Sequence, residues 1–201
     1  MGQTLTPTVR NLLIACVGVY LLQMAMGPKL VYTFGLWPPN SFEPHFQPWQ
    51  LFTYAFLHDP GSFLHILFNM FALYMFGPDI ERLLGPRRFL TYYVVCVLGA
   101  AVAQLLTMRM LGNPPIPTVG ASGGIFGLLL AYGLAFPHRR LMLLFPPIPM
   151  PAWLFVTLYG LLELYLGVSG HASGVAHFAH LGGMVGGFAL ILYWRAAIRR
   201  R

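Results

Sequence analysis

Residues 89–109 read Phe-Leu-Thr-Tyr-Tyr-Val-Val-Cys-Val-Leu-Gly-Ala-Ala-Val-Ala-Gln-Leu-Leu-Thr-Met-Arg. No charge interrupts this run before Arg109. At 1.5 Å per residue, a helix of this length reaches about 30 Å, the thickness of a bilayer's hydrocarbon core. Five further stretches have the same character: residues 11–27, 61–77, 120–136, 150–168 and 172–194. Helix-breaking residues or charges separate them: Gly27-Pro28, Gly77-Pro78, Gly85-Pro86, Asn113-Pro114-Pro115, Pro137 and Pro146-Pro147-Ile148-Pro149. The fold class expected from this pattern is all-α, a polytopic transmembrane bundle of six spans. Nothing between the spans is long enough to fold separately, so residues 1–201 are read as one membrane domain.

Composition agrees. Charged residues make up 8% of the 201, against roughly 25% in soluble domains. Hydrophobic residues make up 57%. That balance excludes a soluble globule, which needs more charge on its surface, and a disordered chain, which needs low hydrophobicity. The net charge of +7 does not point to nucleic acid, because the basic residues lie between apolar runs and form no basic–aromatic stripe. Cys16 and Cys96 both fall within apolar runs, where free buried thiols are expected. The first apolar run leads into a loop without an A-x-A cleavage site, so it reads as a span and not as a removable signal.

With the N-terminus in the cytoplasm, Arg10, Arg82, Arg87, Arg88, Arg139, Arg140, Arg195, Arg199, Arg200 and Arg201 fall on the inner side. Only Lys29 and Arg109 fall outside. The positive-inside rule therefore puts both termini in the cytoplasm. The outer connection 28–60 carries Trp37, Phe42, Phe46, Trp49, Phe52, Tyr54 and Phe56, too apolar for a solvated loop, and is expected to associate with the membrane.

Polar side chains at membrane depth are costly and mark functional sites. His65 and Asn69 stand four apart in the second stretch, one turn apart on one helix face. Either could donate a hydrogen bond to a reacting group, or simply satisfy a neighbouring carbonyl. Ser122 sits in Gly120-Ala121-Ser122-Gly123-Gly124-Ile125-Phe126-Gly127. It reads as an N-cap at a helix N-terminus, where free N–H groups favour a developing oxyanion. His180 opens His180-Leu181-Gly182-Gly183-Met184-Val185-Gly186-Gly187. The four-residue glycine spacings there, and at Gly123 and Gly127, are the small-xxx-small pattern that lets spanning helices touch. A contact between the fourth and sixth spans would bring Ser122 to His180, placed about two turns into its span, and a neutral imidazole can take a serine proton.

His177 is read as a substrate-side or structural residue, and Glu163 as pairing inside the bundle, with a third catalytic member as the alternative. His171, His177 and His180 lack the H-E-x-x-H pattern of a zinc site. Neither a metal nor a cofactor is expected.

The ordered set His65-Ile66-Leu67-Phe68-Asn69, Gly120-Ala121-Ser122-Gly123 and Ala179-His180-Leu181-Gly182-Gly183 resembles the rhomboid intramembrane serine proteases. Glu81-Arg82-Leu83-Leu84-Gly85 is a looser match, and the likeness extends over about residues 10–195. It implies the minimal six-span bacterial form in the inner membrane, and a Ser–His dyad that requires no carboxylate. Ser122 would be the nucleophile and His180 the base. The Ser122 N–H, His65 and Asn69 would hold the oxyanion, and Gly120, Gly123, Gly183 and Gly187 would allow close packing. The substrates would be transmembrane proteins in the lipid bilayer, cleaved in or beside their helices near the outer face. The fifth span would be the gate. Where many members carry Trp-Arg in the first loop, a position tied to loop structure, this chain has Trp49-Gln50. An inactive relative that binds transmembrane clients is the alternative, and it would lack Ser122 or His180. A transporter would need paired acids or interrupted repeats, which are not seen.

Overall fold

The computed structural model describes residues 4–39, 44–111, 116–142, 147–170 and 175–199. Of the residues singled out in the sequence, Phe42, Asn113, Pro114, Pro115, Pro146, His171, Arg200 and Arg201 lie outside that set. The helices are α1 (Pro7–Met26), α2 (Lys29–Phe34), α3 (Gln50–Thr53), α4 (Phe63–Leu84), α5 (Pro86–Leu111), α6 (Ser122–Ala135), α7 (Ala152–Ser169) and α8 (His177–Arg199). A short 3₁₀ turn, Tyr54–Phe56, follows α3. Strands β1 (Arg140–Met142) and β2 (Pro149–Pro151) pair antiparallel before α7, with Leu141 opposite Met150. The chain is a helical membrane bundle: α1, α4, α5, α7 and α8 are long and apolar enough to cross a bilayer, and α6 is a shorter apolar helix.

Three edges differ from the sequence reading. The second span does not stop at Gly77-Pro78; α4 runs through Pro78 to Leu84. Pro78 removes one N–H from the helix ladder, which packing inside a bundle tolerates. Gly77 serves contact instead, since a Cβ there would come within 2.7 Å of Val9 on α1. The stop is Gly85, at φ +77, whose N–H donates to the Glu81 carbonyl at 2.8 Å, and Pro86 then opens α5. The sixth span begins at His177, so His180 lies in the first turn of α8 and not two turns in. Ser122 is the first residue of α6 and not its cap; Ala121 holds that position, and its side chain makes no capping hydrogen bond.

The fourteen residues of α6 give about 21 Å, roughly 9 Å short of the bilayer core. Beyond its far end, Arg139 pairs with Asp79 on α4 in a polar layer. At the Ser122 end, non-helical residues lead into the helix. That lead is held to the first loop by a bridge between Leu36 and Thr118 and by the Gly120 N–H, which donates to the Tyr54 carbonyl at 3.0 Å.

Glycine lets α8 nest against both α5 and α6. A Cβ on Gly182 would strike the Gly99 carbonyl and Ala103 of α5, and one on Gly183 would strike the Gly123 carbonyl of α6. Gly187, expected to face α6, meets Tyr92 and Cys96 of α5. Buried tyrosines lock these layers: Tyr54 donates to the Val97 carbonyl at 2.8 Å and Tyr92 to the Gly127 carbonyl at 2.7 Å. In the first loop, buried Gln50 accepts from the Trp37 and Gln47 N–H groups at 3.3 and 3.2 Å and donates to the Thr33 carbonyl at 3.3 Å. Tyr32, Phe34, Trp49 and Phe52 stay exposed on this loop.

Candidate active site

The site forms where α4, α6, α7 and α8 meet. His180 Nε2 lies 2.8 Å from Ser122 Oγ. His180 Nδ1 lies 2.9 Å from Glu163 Oε2 on α7, and His177 Nδ1 lies 2.6 Å from the same oxygen. Both contacts on Glu163 are hydrogen bonds when both rings carry their proton on Nδ1, and His177 Nε2 is then buried with no hydrogen-bond partner among the described residues. His180 Nε2 is then a lone-pair acceptor facing the serine hydroxyl. Glu163, His177 and His180 are all buried.

His65 occupies the opposite wall. The Asp59 backbone N–H donates to His65 Nδ1 at 3.2 Å, which leaves the proton on Nε2. That nitrogen faces Gly120, where a Cβ would come within 2.9 Å of it and 3.7 Å of Ser122 Oγ. Gly120 has φ +128, open to glycine and strained for other residues. Asn69 is buried below His65 and donates from Nδ2 to the His65 carbonyl at 2.7 Å. One of its two N–H bonds thus satisfies its own helix, as the plainer reading expected, and a second remains.

Phe126 was not singled out in the sequence. Its ring lies flat on His180, with centroids 4.2 Å apart and planes 6° apart. It stands four residues after Ser122, so the helical period puts both on one face of α6, and that spacing was the available signal. Tyr159 of α7 stacks on Phe126 at 5.2 Å, and Phe155 on Tyr159 at 5.5 Å. The imidazole is therefore fixed by a stacking partner on one face and hydrogen-bond partners at both nitrogens.

Glu163, His177 and His180 each offer a ligand atom, all within 4.8 Å of one another. Ligands around a tetrahedral zinc stand about 3.3 Å apart. The 2.6 and 2.9 Å separations here are those of hydrogen bonds.

Beyond the site, His58 is fully buried between the 3₁₀ turn and α4, with its ring 5.4 Å from that of His65. Gln23 of α1 clamps its backbone, donating to the His58 carbonyl at 2.8 Å and accepting its N–H at 3.0 Å. Burial first, and neighbouring His65 second, pull the His58 imidazole down to about 4.

Comparison with known proteins bears on what this constellation belongs to. The Rhomboid domain family model matches residues 45–197. Rhomboid protein 1, mitochondrial, of Saccharomyces cerevisiae is 28% identical over 73% of this chain and 42% of its own length. Rhomboid protease GlpG of Yersinia pestis is 27% identical over 94% of this chain and 62% of its own. Rhomboid protease GluP of Bacillus subtilis is 30% identical over 74% of this chain and 26% of its own. The chain thus spans less than two thirds of the length of each of these relatives. With the family model covering the helices that carry Ser122, His180, His65 and Asn69, the chain belongs to the rhomboid family.

Proposed function

We propose that this chain is an intramembrane serine endopeptidase that hydrolyses peptide bonds in or beside the transmembrane helices of membrane-protein substrates. The observation that carries the reading is the 2.8 Å approach of His180 Nε2 to Ser122 Oγ at the N-terminus of α6. Ser122 Oγ attacks the scissile carbonyl carbon while its proton passes to His180 Nε2. The oxyanion is met by the Ser122 backbone N–H, His65 Nε2–H and the second N–H of Asn69. Collapse breaks the C–N bond, and His180 returns the proton to the leaving amine. Water then attacks the acyl-enzyme ester, gives its proton to His180, and Oγ leaves with that proton restored.

In this reading the protein sits in a bacterial inner membrane with both termini cytoplasmic. Arg82 bonds Thr4, Arg139 pairs with Asp79 and Arg88 lies 6.0 Å over the Trp194 ring, so these basic residues share the end of the bundle opposite Ser122. The site then opens toward the outer face, where water is available.

The test is cleavage of a single-span model protein co-reconstituted in liposomes. Wild type should release a product cut near the outer end of the helix. Ser122→Ala and His180→Ala should each lose at least about 10³-fold. Equal product from wild type and Ser122→Ala would overturn the assignment, and so would a wild type that cuts nothing.

A further inference from the structure

We infer that Glu163 is a positioning residue that turns the Ser122–His180 pair into a Ser–His–Glu triad, with His177 holding the carboxylate in place. The inference rests on the serine-protease reading above and goes beyond it, since the family resemblance implies a pair working without a carboxylate. Three observations carry it. Glu163 Oε2 lies 2.9 Å from His180 Nδ1, on the far side of the ring from Ser122. A carboxylate there selects the tautomer with Nδ1 protonated, which leaves Nε2 free to receive the serine proton. It also faces the positive charge that forms on the imidazole once that proton arrives.

The second observation is His177, one turn before His180 on α8, at 2.6 Å from the same oxygen. Two Nδ1–H donors converging on one oxygen fix the carboxylate's rotation, so the group on α7 stays aimed at α8. The third is Phe126, which clamps the face of His180 but contacts neither nitrogen. Stacking fixes the ring's plane and leaves its tautomer undetermined; among the described residues, Glu163 alone bonds Nδ1 and supplies that. Among the described residues, the titratable groups around His180 are Glu163 and Tyr159 on α7, His177 on α8 and His65 on α4. Of these, Glu163 alone is an acid within hydrogen-bond reach of the ring.

Steady-state cleavage should be measured in liposomes for wild type, Glu163→Gln, Glu163→Ala and His177→Ala, with thermal unfolding of each. The Gln side chain keeps an oxygen for both donors but no charge, so its kcat should fall about 10-fold. Glu163→Ala loses tautomer control as well and should fall about 100-fold or more. His177→Ala should fall a few-fold. KM should stay within about two-fold throughout, because Glu163 acts on the proton transfer and not on substrate binding. Glu163→Gln is near-isosteric, so its rate can be read even if Glu163→Ala unfolds.

A kcat for Glu163→Gln within two-fold of wild type would overturn the inference and leave the dyad standing. A wild type that cuts nothing would remove the dyad and the triad together. A wild-type activity abolished by EDTA and restored by Zn²⁺ would assign the three side chains to a metal and overturn the positioning role.

Discussion

Two buried glutamates hold opposite ends of this molecule, and they are built for different work. Glu81, near the C-terminal end of α4, accepts the Thr6 hydroxyl at 2.5 Å and the Val9 N–H at 2.9 Å on one oxygen, and the Thr8 N–H at 3.0 Å on the other. Thr8 and Val9 belong to the first turn of α1, and Thr6 is its N-cap, whose hydroxyl makes no capping bond to its own helix. A neighbouring helix thus caps α1 and opposes its partial positive charge. Glu163, on α7, accepts two imidazoles on a single oxygen. Backbone amides cannot exchange their protons in a reaction; imidazoles can. The donor set, and not the acid, separates the structural clamp at Glu81 from the positioning role proposed for Glu163.

The largest effect should come from disturbing the Glu163 end through its helix contact. A Cβ on Gly183 would meet the Gly123 carbonyl, a backbone atom that cannot turn aside. In Gly183→Ala, α8 must move off α6 and carry His180 away from Ser122. A displacement near 1 Å costs on the order of 100-fold in rate, and liposome cleavage should show it. The Glu81 end packs through α1 and α4 and should be untouched. Full activity in Gly183→Ala would mean that the dyad does not depend on the α6–α8 approach.

Glu81→Gln sharpens the comparison from the other side. Because Glu81 uses both oxygens, an amide must turn its NH₂ toward a donor at one of them, leaving the buried Val9 N–H or the part-buried Thr8 N–H unpaired. The cost is about 1–3 kcal/mol, read as a lower unfolding midpoint in detergent. The kcat of the folded enzyme should stay within about two-fold. Glu163→Gln should do the reverse, keeping the fold and losing rate. Were the two substitutions to behave alike, the distinction drawn from their donor sets would fail.

Much of this was legible in the sequence, for identifiable reasons. The run at 89–109 carries its own evidence, since twenty uncharged residues fit a bilayer. Ser122, His180, His65 and Asn69 stand out because polar groups are scarce inside the spans. Contacts between helices distant in sequence were less accessible. Nothing in the chain says that Glu163 and His177, fourteen residues apart, meet within 2.6 Å, because that depends on how α7 leans on α8. The same holds for Glu81 and Thr6, seventy-five apart, and for the direction Gly187 faces. Gly77-Pro78 misled because it looks like a stop. The tertiary contact with Val9 that explains the glycine cannot be read from a local pair. Gln50, at the position where the resemblance leads one to expect an arginine, gathers the loop's backbone groups by neutral hydrogen bonds.

The smallest effect concerns His58, a buried imidazole at the Glu163 end with no carboxylate bonded to it among the described residues. Burial and His65 pull it down to about 4, with a backbone contact at Phe56 offsetting part of that. Unfolded, a histidine titrates near 6.5. Between about pH 6.5 and 4 the unfolded chain therefore binds a proton that the folded chain refuses. Stability falls as the pH drops through that window and is fully present above it. At pH 5 this contribution is at most about 2 kcal/mol. In His58→Phe the ring keeps its bulk and loses its proton site, so the unfolding midpoint should fall less between pH 7 and 5 than in wild type. The two midpoints should run parallel above pH 7. Parallel midpoints across the whole range would show that His58 takes up its proton as easily folded as unfolded. The two histidines bound to Glu163 provide the contrast: in the proposed triad an imidazole beside an acid would serve the chemistry, whereas His58, bonded to no acid among the described residues, makes the fold acid-sensitive.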